Sequence, residues 1–292
     1  MSQARTAALP MSPVGTDDEP RPLVVIRRST GWGGFRLREL WEYRDLLMVL
    51  GGRDVKLRYR QTALGIVWVI FQPLVGAAIF ALVFGRVARL PSEGVPYFLF
   101  AYAGYLGWNA FQSTLNKASM CLVQSSHLVS KVFFPRVILP LSTVFSTLLD
   151  FTVGLAFLIV LWVVYGVFPG PALLLLPVWL LLMQCLALGV GFYAAALTVR
   201  YRDVQHALPV LMQFVLYASP VAYATSAVPE SLRSFYALNP ITGLLEGFRW
   251  SLVGHTSLDW THVAYAAVVS VVVFVVGALS FKRMERQFAD VI

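Results

Sequence analysis

The residues able to carry acid–base, nucleophilic or metal chemistry are few and widely spaced. His127, His206, His255 and His262 are scattered, and no cluster of acids or bases surrounds them as general acid–base catalysis requires. Cys121 and Cys185 lie far apart and belong to no CxxC pair, so neither a disulfide framework nor a zinc or other metal site is predicted. No GxxxxGK[ST] motif occurs, so the chain has no P-loop to cradle ATP. Three features do suggest chemistry. The first is a basic run, Arg53, Lys56, Arg58 and Arg60, with Tyr59 inside it. The second is Asp150, an acid well inside an apolar stretch. The third is a crowd of aromatics that includes Tyr102, Tyr105 and Trp108, followed later by Tyr217 and Tyr223.

The elements that position these residues are dictated by composition. Hydrophobic residues form 58 % of the 292-residue chain and charged residues only 13 %. A soluble domain has about 45–50 % and about 25 % respectively. With a mean hydropathy of +0.70, the chain lacks the polar side chains to cover a surface in water. It is a membrane protein. The net charge of +8 does not mark a nucleic-acid binder, because the basic residues sit in short blocks between long apolar runs.

Crossing a hydrocarbon layer of about 30 Å takes about 20 apolar residues in a helix. Six stretches qualify, at about 62–85, 97–116, 137–165, 172–198, 207–228 and 262–281. They are apolar on every side, unlike the alternating strands of a membrane barrel. The predicted fold is therefore an all-α membrane protein with six transmembrane helices. Lysine and arginine in the connections set the orientation: nineteen fall on one side and four on the other. Both termini are predicted to be cytoplasmic. The first residues carry three prolines, an acidic cluster at Asp17, Asp18 and Glu19, and no apolar core of the kind a secretory signal has. Residues 1–34 are predicted to be a cytoplasmic tail without fixed structure, and 286–292 a second short cytoplasmic tail.

Two regions depart from plain hairpins. Residues 35–61 are basic but place Leu37, Leu40 and Trp41 at helical spacing, then Leu46, Leu47 and Leu50 before Gly51-Gly52. Beyond that break, Arg53, Lys56 and Arg60 share one helical face, with Val55, Tyr59 and Thr62 opposite. One or two amphipathic helices in the cytoplasmic interface are predicted, although Val55, Leu57 and Tyr59 also alternate with period two. The second region is 229–261. Asn239-Pro240 makes a helix cap followed by proline at the first helical position. Ile241, Leu244, Leu245, Phe248 and Leu252 then line one face, with Glu246 and Arg249 on the other. So apolar a segment on the outer side is predicted to re-enter the membrane as short helices packed on protein, between the fifth and sixth spans.

RDVKLRYRQTALGIVWVIFQPL at 53–74 resembles the entrance of the membrane subunits of type-2 ABC exporters for cell-surface polysaccharides, which serve O-antigen, capsule and teichoic acid export. LVSKVFFPRVILPLS at 128–142, TVRYRDVQHALP at 198–209, SPV at 219–221 and LNPITGLLEGFR at 238–249 follow in the same order, so the resemblance covers about residues 36–285. It implies a transmembrane domain over 62–285 and a homodimer of this subunit with two copies of a separate ATP-binding subunit. ATP and Mg would sit on that partner, leaving this chain with no cofactor and no catalytic residue of its own. The cargo is implied to be a glycan on a polyprenyl diphosphate lipid, in the bacterial inner membrane. O-antigen is the first expectation. Capsule or teichoic acid follows, and a small lipid or drug is the more distant alternative.

Each group then has two readings. Arg53, Lys56, Arg58, Tyr59 and Arg60 either anchor the chain, at about 1 kcal/mol per basic residue beside anionic lipid, or contact the diphosphate, whose oxygens suit arginine's fork. Leu128, Val129, Lys131 and Phe133 form an apolar cytoplasmic stretch expected to dock on the ATPase, with Arg202 and Asp203 as a second contact. Otherwise Val132, Phe133 and Phe134 are the membrane end of the third span, and Arg202–Asp203 a surface salt bridge. Tyr102, Tyr105, Trp108, Tyr217 and Tyr223 are expected to line the polymer's route, where aromatic faces stack on sugars while adding few fixed hydrogen bonds. Asp150 is expected to be a hydrogen-bonded packing residue, with Ser146, Thr147 or a neighbouring helix. Pro73, Pro209 and Pro220 would kink their spans. An ion-coupled carrier would show several buried acids or repeats, and an enzyme acting on lipid-linked sugars would show acid or base clusters.

Overall fold

The computed structural model describes residues 41–60, 65–254 and 258–285, with only the backbone at 57–60, 65 and 66. The expected tails at 1–34 and 286–292 lie outside the described residues. Helix α1 is Arg44–Arg60. Helix α2, Gly65–Phe80, runs on into a π-helical stretch, Ala81–Val87. The others are α3 Tyr97–Gln124, α4 Ser126–Lys131, α5 Ile138–Tyr165, α6 Leu176–Arg200, α7 Val204–Tyr217, α8 Glu230–Leu238, α9 Pro240–Val253 and α10 Trp260–Met284. Short 3₁₀ turns precede α6 at Pro171–Leu175 and α8 at Thr225–Ala227. No strand occurs among the described residues.

Among the described residues, four helical stretches are long and apolar enough to cross a bilayer: Val67–Val87, Ile138–Tyr165, Pro171–Arg200 and Trp260–Met284. Helix α3 has 28 residues, about 42 Å at 1.5 Å per residue, but it is more polar. It carries Gln112, Thr114 and Lys117 because it is the central helix, where Thr114 and Lys117 find partners on neighbouring helices and Gln112 finds one on α3 itself. Thr114 Oγ1 donates to Gln184 Oε1 at 2.6 Å, and Trp108 Nε1 donates to Gln112 Oε1 at 2.9 Å.

The fifth stretch departs from its expected bounds. Helix α7 stops at Tyr217 after 14 residues, about 21 Å, instead of running to 228. Pro220 has no backbone N–H and disfavours helical geometry at Ser219, so the chain turns there despite its apolar sequence. Pro220 therefore lies in a turn, whereas Pro73 and Pro209 are inside helices. The expected break at Gly51-Gly52 is absent, since α1 runs through both glycines. A Cβ at Gly51 would lie 2.7 Å from Phe145 Cδ2, so this glycine lets α1 rest directly on α5. Nor does α1 sort its residues cleanly by face. Met48 and Val49 are exposed while Leu50 is buried, so its first half is apolar on more than one side.

Termination signals are local. Gly166 closes α5 in the left-handed region at φ 66°, which glycine adopts without steric cost. Asn239 caps α9 as its sequence predicts: its side chain accepts from the Ile241 N–H at 3.1 Å, and Pro240 follows. Asp259 caps α10 through the Thr261 N–H at 2.9 Å. That hydrogen bond holds the exposed Asp259 carboxyl below its ordinary pKa.

Cross-helix contacts set the directions. Helices α3 and α6 run parallel, with Thr114 beside Gln184 and Ala118 beside Gly191. Helix α5 runs antiparallel to α3, since Tyr102 meets Gly154 and Lys117 meets Ser146. Helix α10 lies parallel to α6, with Gly277 beside Gly189 and Phe281 beside Phe192. One core cluster gathers Leu50, Leu122, Val129, Phe192 and Phe281. The other gathers Leu99, Trp108, Trp179, Phe248 and Leu252. The bundle thus has two ends, and α1, α4, the 201–203 turn and the last turn of α10 share the first.

Candidate functional site

The first end is the basic one. A cleft of about 410 Å³ opens there between α1, α3 and α5, lined by Arg53, Asp54, Lys117, Gln124, Ser142 and Ser146. Arg53 does not hold its fork open. Its Nε and Nη2 both donate to Asp54 Oδ1, at 3.2 and 3.0 Å. Lys56 is exposed. Arg58, Tyr59 and Arg60 fall on the last turn of α1, and their side chains lie outside the described residues.

Deeper in the same cleft sits a cation that the sequence reading did not pair. Lys117 Nζ lies 3.1 Å from Asp150 Oδ2 and donates to Ser146 Oγ at 3.0 Å and Thr147 Oγ1 at 3.4 Å. Asp150 is a packing residue hydrogen-bonded within the bundle, and its neighbouring-helix partner is charged. The clue was available: Lys117 is the one charged residue of α3 and Asp150 the one charged residue of α5.

At the same end, the six-residue helix α4 inserts Val129 into the core while Leu128 is half-buried and Lys131 exposed. After it, Val132 and Phe133 face outward, Phe133 with 77 % of its surface exposed, while Phe134 is buried. Helix α5 begins only at Ile138, so Phe133 is not part of that helix. Arg202 and Asp203 are exposed in the turn between α6 and α7, and no ion pair joins them among the described residues.

The five singled-out aromatics divide. Tyr102 and Trp108 are fully buried inside the bundle, Tyr102 donating to the Gly154 carbonyl at 3.1 Å. Tyr105 is half-buried and packs on Gly76, where a Cβ would lie 2.8 Å from its Cζ. Tyr217 and Tyr223 line a second cleft of about 380 Å³ at the opposite end, with Phe80, Phe84, Leu232 and Tyr236. The Tyr223 hydroxyl is 2.8 Å from that of Tyr236 and donates to the Tyr217 carbonyl at 3.0 Å. Tyr236 was missed, because the re-entrant reading of 229–261 singled out residues only from Asn239 onward. His262 does have a partner, its Nδ1 lying 3.4 Å from Asp259 Oδ2, with both side chains half-exposed at the start of α10. No group of three or more potential metal ligands occurs among the described residues.

The bundle thus carries a basic cleft at one end and an aromatic cleft at the other. The profile of the ABC-2 type transporter family matches residues 45–253. The chain belongs to that family. The ABC-2 chain is 32 % identical over 256 residues to an O-antigen export system permease protein, RfbA, of Myxococcus xanthus, an alignment covering 87 % of this chain and 98 % of the relative. The Klebsiella pneumoniae protein of the same name is 25 % identical over 249 residues, covering 85 % and 95 %. The polysialic acid transport protein KpsM of Escherichia coli is 20 % identical over 239 residues, covering 80 % and 91 %. The ABC-2 match makes this a multi-pass membrane permease, as the motifs at 53–74 and 238–249 led one to expect.

Proposed function

We propose that this chain is the permease subunit of an ATP-driven exporter that moves a polyprenyl-diphosphate-linked polysaccharide, O-antigen in the first place, across the inner membrane. The observation carrying this reading is the near full-length, 32 % identical match to an O-antigen export permease. The 20 % match to a polysialic acid transporter makes capsular glycan the second reading. In this proposal two copies of the chain form the passage and two copies of a separate subunit bind and hydrolyse ATP.

The basic end is cytoplasmic in this reading, which follows from the lysine and arginine excess there, and both termini lie on that side. Helix α3 and the α7–α9 region complete a six-span layout, with α8 and α9 dipping back from the outer face. The backbone of α9 is tolerated at that depth because it is buried in protein, and α8, which buries no residue, satisfies its own backbone as a helix. Arg53, Lys56, Arg58, Tyr59 and Arg60 then lie at head-group level, ready to anchor the chain or to meet the diphosphate. The outward Phe133 and Val132, with Leu128, Lys131 and the exposed Arg202 and Asp203, form the docking surface for the ATP-binding subunit, with the buried Val129 fixing α4 beneath it, since exposed apolar side chains beside charges mark interfaces. Tyr217 and Tyr223 offer open faces to a glycan. Tyr102, Tyr105 and Trp108 would contact it only if α3 were to expose the side it now buries.

Deleting the gene tests this reading. Surface glycan should disappear while polyprenyl-linked polymer accumulates in the inner leaflet of the cytoplasmic membrane. Unchanged surface glycan would overturn it.

A further inference from the structure

Between α7 and α8 the backbone leaves helical geometry in a buried place. Ser219, Val221, Ala222 and Ala224 are each at most 2 % exposed. Where water has no access, each carbonyl needs a donor from the protein, and most of the carbonyls here find one. Asn239 Nδ2 donates to the Ala218 carbonyl at 3.5 Å, and the Val221 N–H to that of Ser219 at 2.7 Å. The Tyr97 hydroxyl donates to the Ala222 carbonyl at 2.7 Å, and the Ala227 N–H to that of Ala224 at 3.0 Å. The Val221 carbonyl presses on Gly104 of α3, where any Cβ would overlap it.

The carbonyls of Pro220 and Tyr223 both accept from Arg249 Nη1, at 3.1 and 3.4 Å. The sequence reading put Arg249 on the polar face of its helix. It is instead only 2 % exposed, with its guanidinium 4.1 Å over the Phe100 ring. A buried guanidinium needs compensating charge. Glu246, one turn earlier, and Glu93 are both near enough to act on it. Each carboxylate is tied to the residues just after the irregular segment, Glu246 accepting from Thr225 Oγ1 and Glu93 from Ser226 Oγ. Glu93 sits at φ 54°, a left-handed conformation that a non-glycine residue keeps only where surrounding structure fixes it.

We infer that Arg249 is the positioning residue of the joint between α7 and α8: it clasps residues 220–223 against α3 and thereby sets the wall of the tyrosine cleft. Val221, Ala222 and Tyr223 line that cleft, so releasing the clasp changes its shape without touching the basic end. The role does not depend on which glycan is carried.

Thiol protection in isolated membranes tests this. Cys185 is replaced by serine, a reporter is introduced as Ala224→Cys, and the buried Cys121 of the other core cluster serves as reference. N-ethylmaleimide modification of both thiols is followed by peptide mass spectrometry. With Arg249 present, both thiols should be protected. Arg249→Met should speed labelling of the Ala224→Cys reporter by roughly tenfold or more, as local opening does, and leave Cys121 unchanged. Arg249→Lys, which keeps a donor but loses the planar face over Phe100, should give an intermediate rate and stands in if the methionine variant does not accumulate. A reporter rate equal to the parent's in both variants would overturn the inference, as would a parallel rise at Cys121.

Discussion

Gly277→Ala is expected to lower the stability of the folded bundle by about 3 kcal/mol, near the upper end of overpacking costs, and Gly277→Leu to leave no folded protein in the membrane. A methyl group on Gly277 would overlap the carbonyl oxygen of Gly189 on α6, and a methyl on Gly189 would lie 2.6 Å from the backbone of Val273 and Phe274. Non-bonded carbons settle at about 3.5–4.0 Å. The atoms in the way are backbone, so no rotamer change removes the clash and the helices must separate. In a bilayer, helices associate through such close approach of small residues, and α6 and α10 each carry flanking core residues, Phe192 and Phe281, whose rings are 5.6 Å apart. Gly52→Ala is the matched comparison. Nothing lies within 4 Å of its Cβ position, so alanine should stabilise helix α1 by about 0.5–1 kcal/mol. Thermal unfolding midpoints in detergent should fall for Gly277→Ala and hold or rise for Gly52→Ala. The reverse order would contradict the packing described.

Asp150→Leu is expected to cost about 3–5 kcal/mol, the range for removing one member of a buried ion pair. The Asp150 side chain is 4 % exposed and that of Lys117 24 %, so losing the carboxylate leaves a largely enclosed ammonium uncompensated. Lys117→Met should cost a comparable amount for the converse reason. Both residues have further interactions, so the pair belongs to a wider polar network that holds α3 against α5 beside Ser146 and Thr147. The double variant Lys117→Met/Asp150→Leu should be distinctly less destabilised than the sum of the two singles. A double-mutant cycle by thermal or denaturant unfolding reads this directly. Additive losses would mean the two side chains act independently.

The long apolar runs were legible because bilayer thickness fixes their length, and the starts of α9 and α10 because Asn239-Pro240 and Asp259 cap locally. The features that escaped sequence reading depend on contacts distant along the chain. Hydropathy continues past Tyr217 to Val228, so polarity alone gives no sign that Pro220 ends the helix. Gly51 reads as a break, yet it is where α1 meets Phe145. Arg249 and Glu246 share a spacing typical of an exposed face, and only the carbonyls of Pro220 and Tyr223 reveal why the guanidinium is inside. Tyr102 and Trp108 sit in the first half of α3, where apolar residues occur on every side and sequence marks no face as the inner one. The family, by contrast, was legible from motif order, since the blocks from Arg53 to Arg249 fall within the matched segment 45–253.

The central claim is that this chain supplies the route and a separate subunit supplies the energy. Proteoliposomes test it most directly, with lipid-linked glycan translocation and ATP hydrolysis measured for the chain alone and with its ATP-binding partner. Hydrolysis and translocation should both be absent from the chain alone and appear together when the partner and Mg-ATP are added. Translocation by the chain alone on an ion gradient would contradict the account.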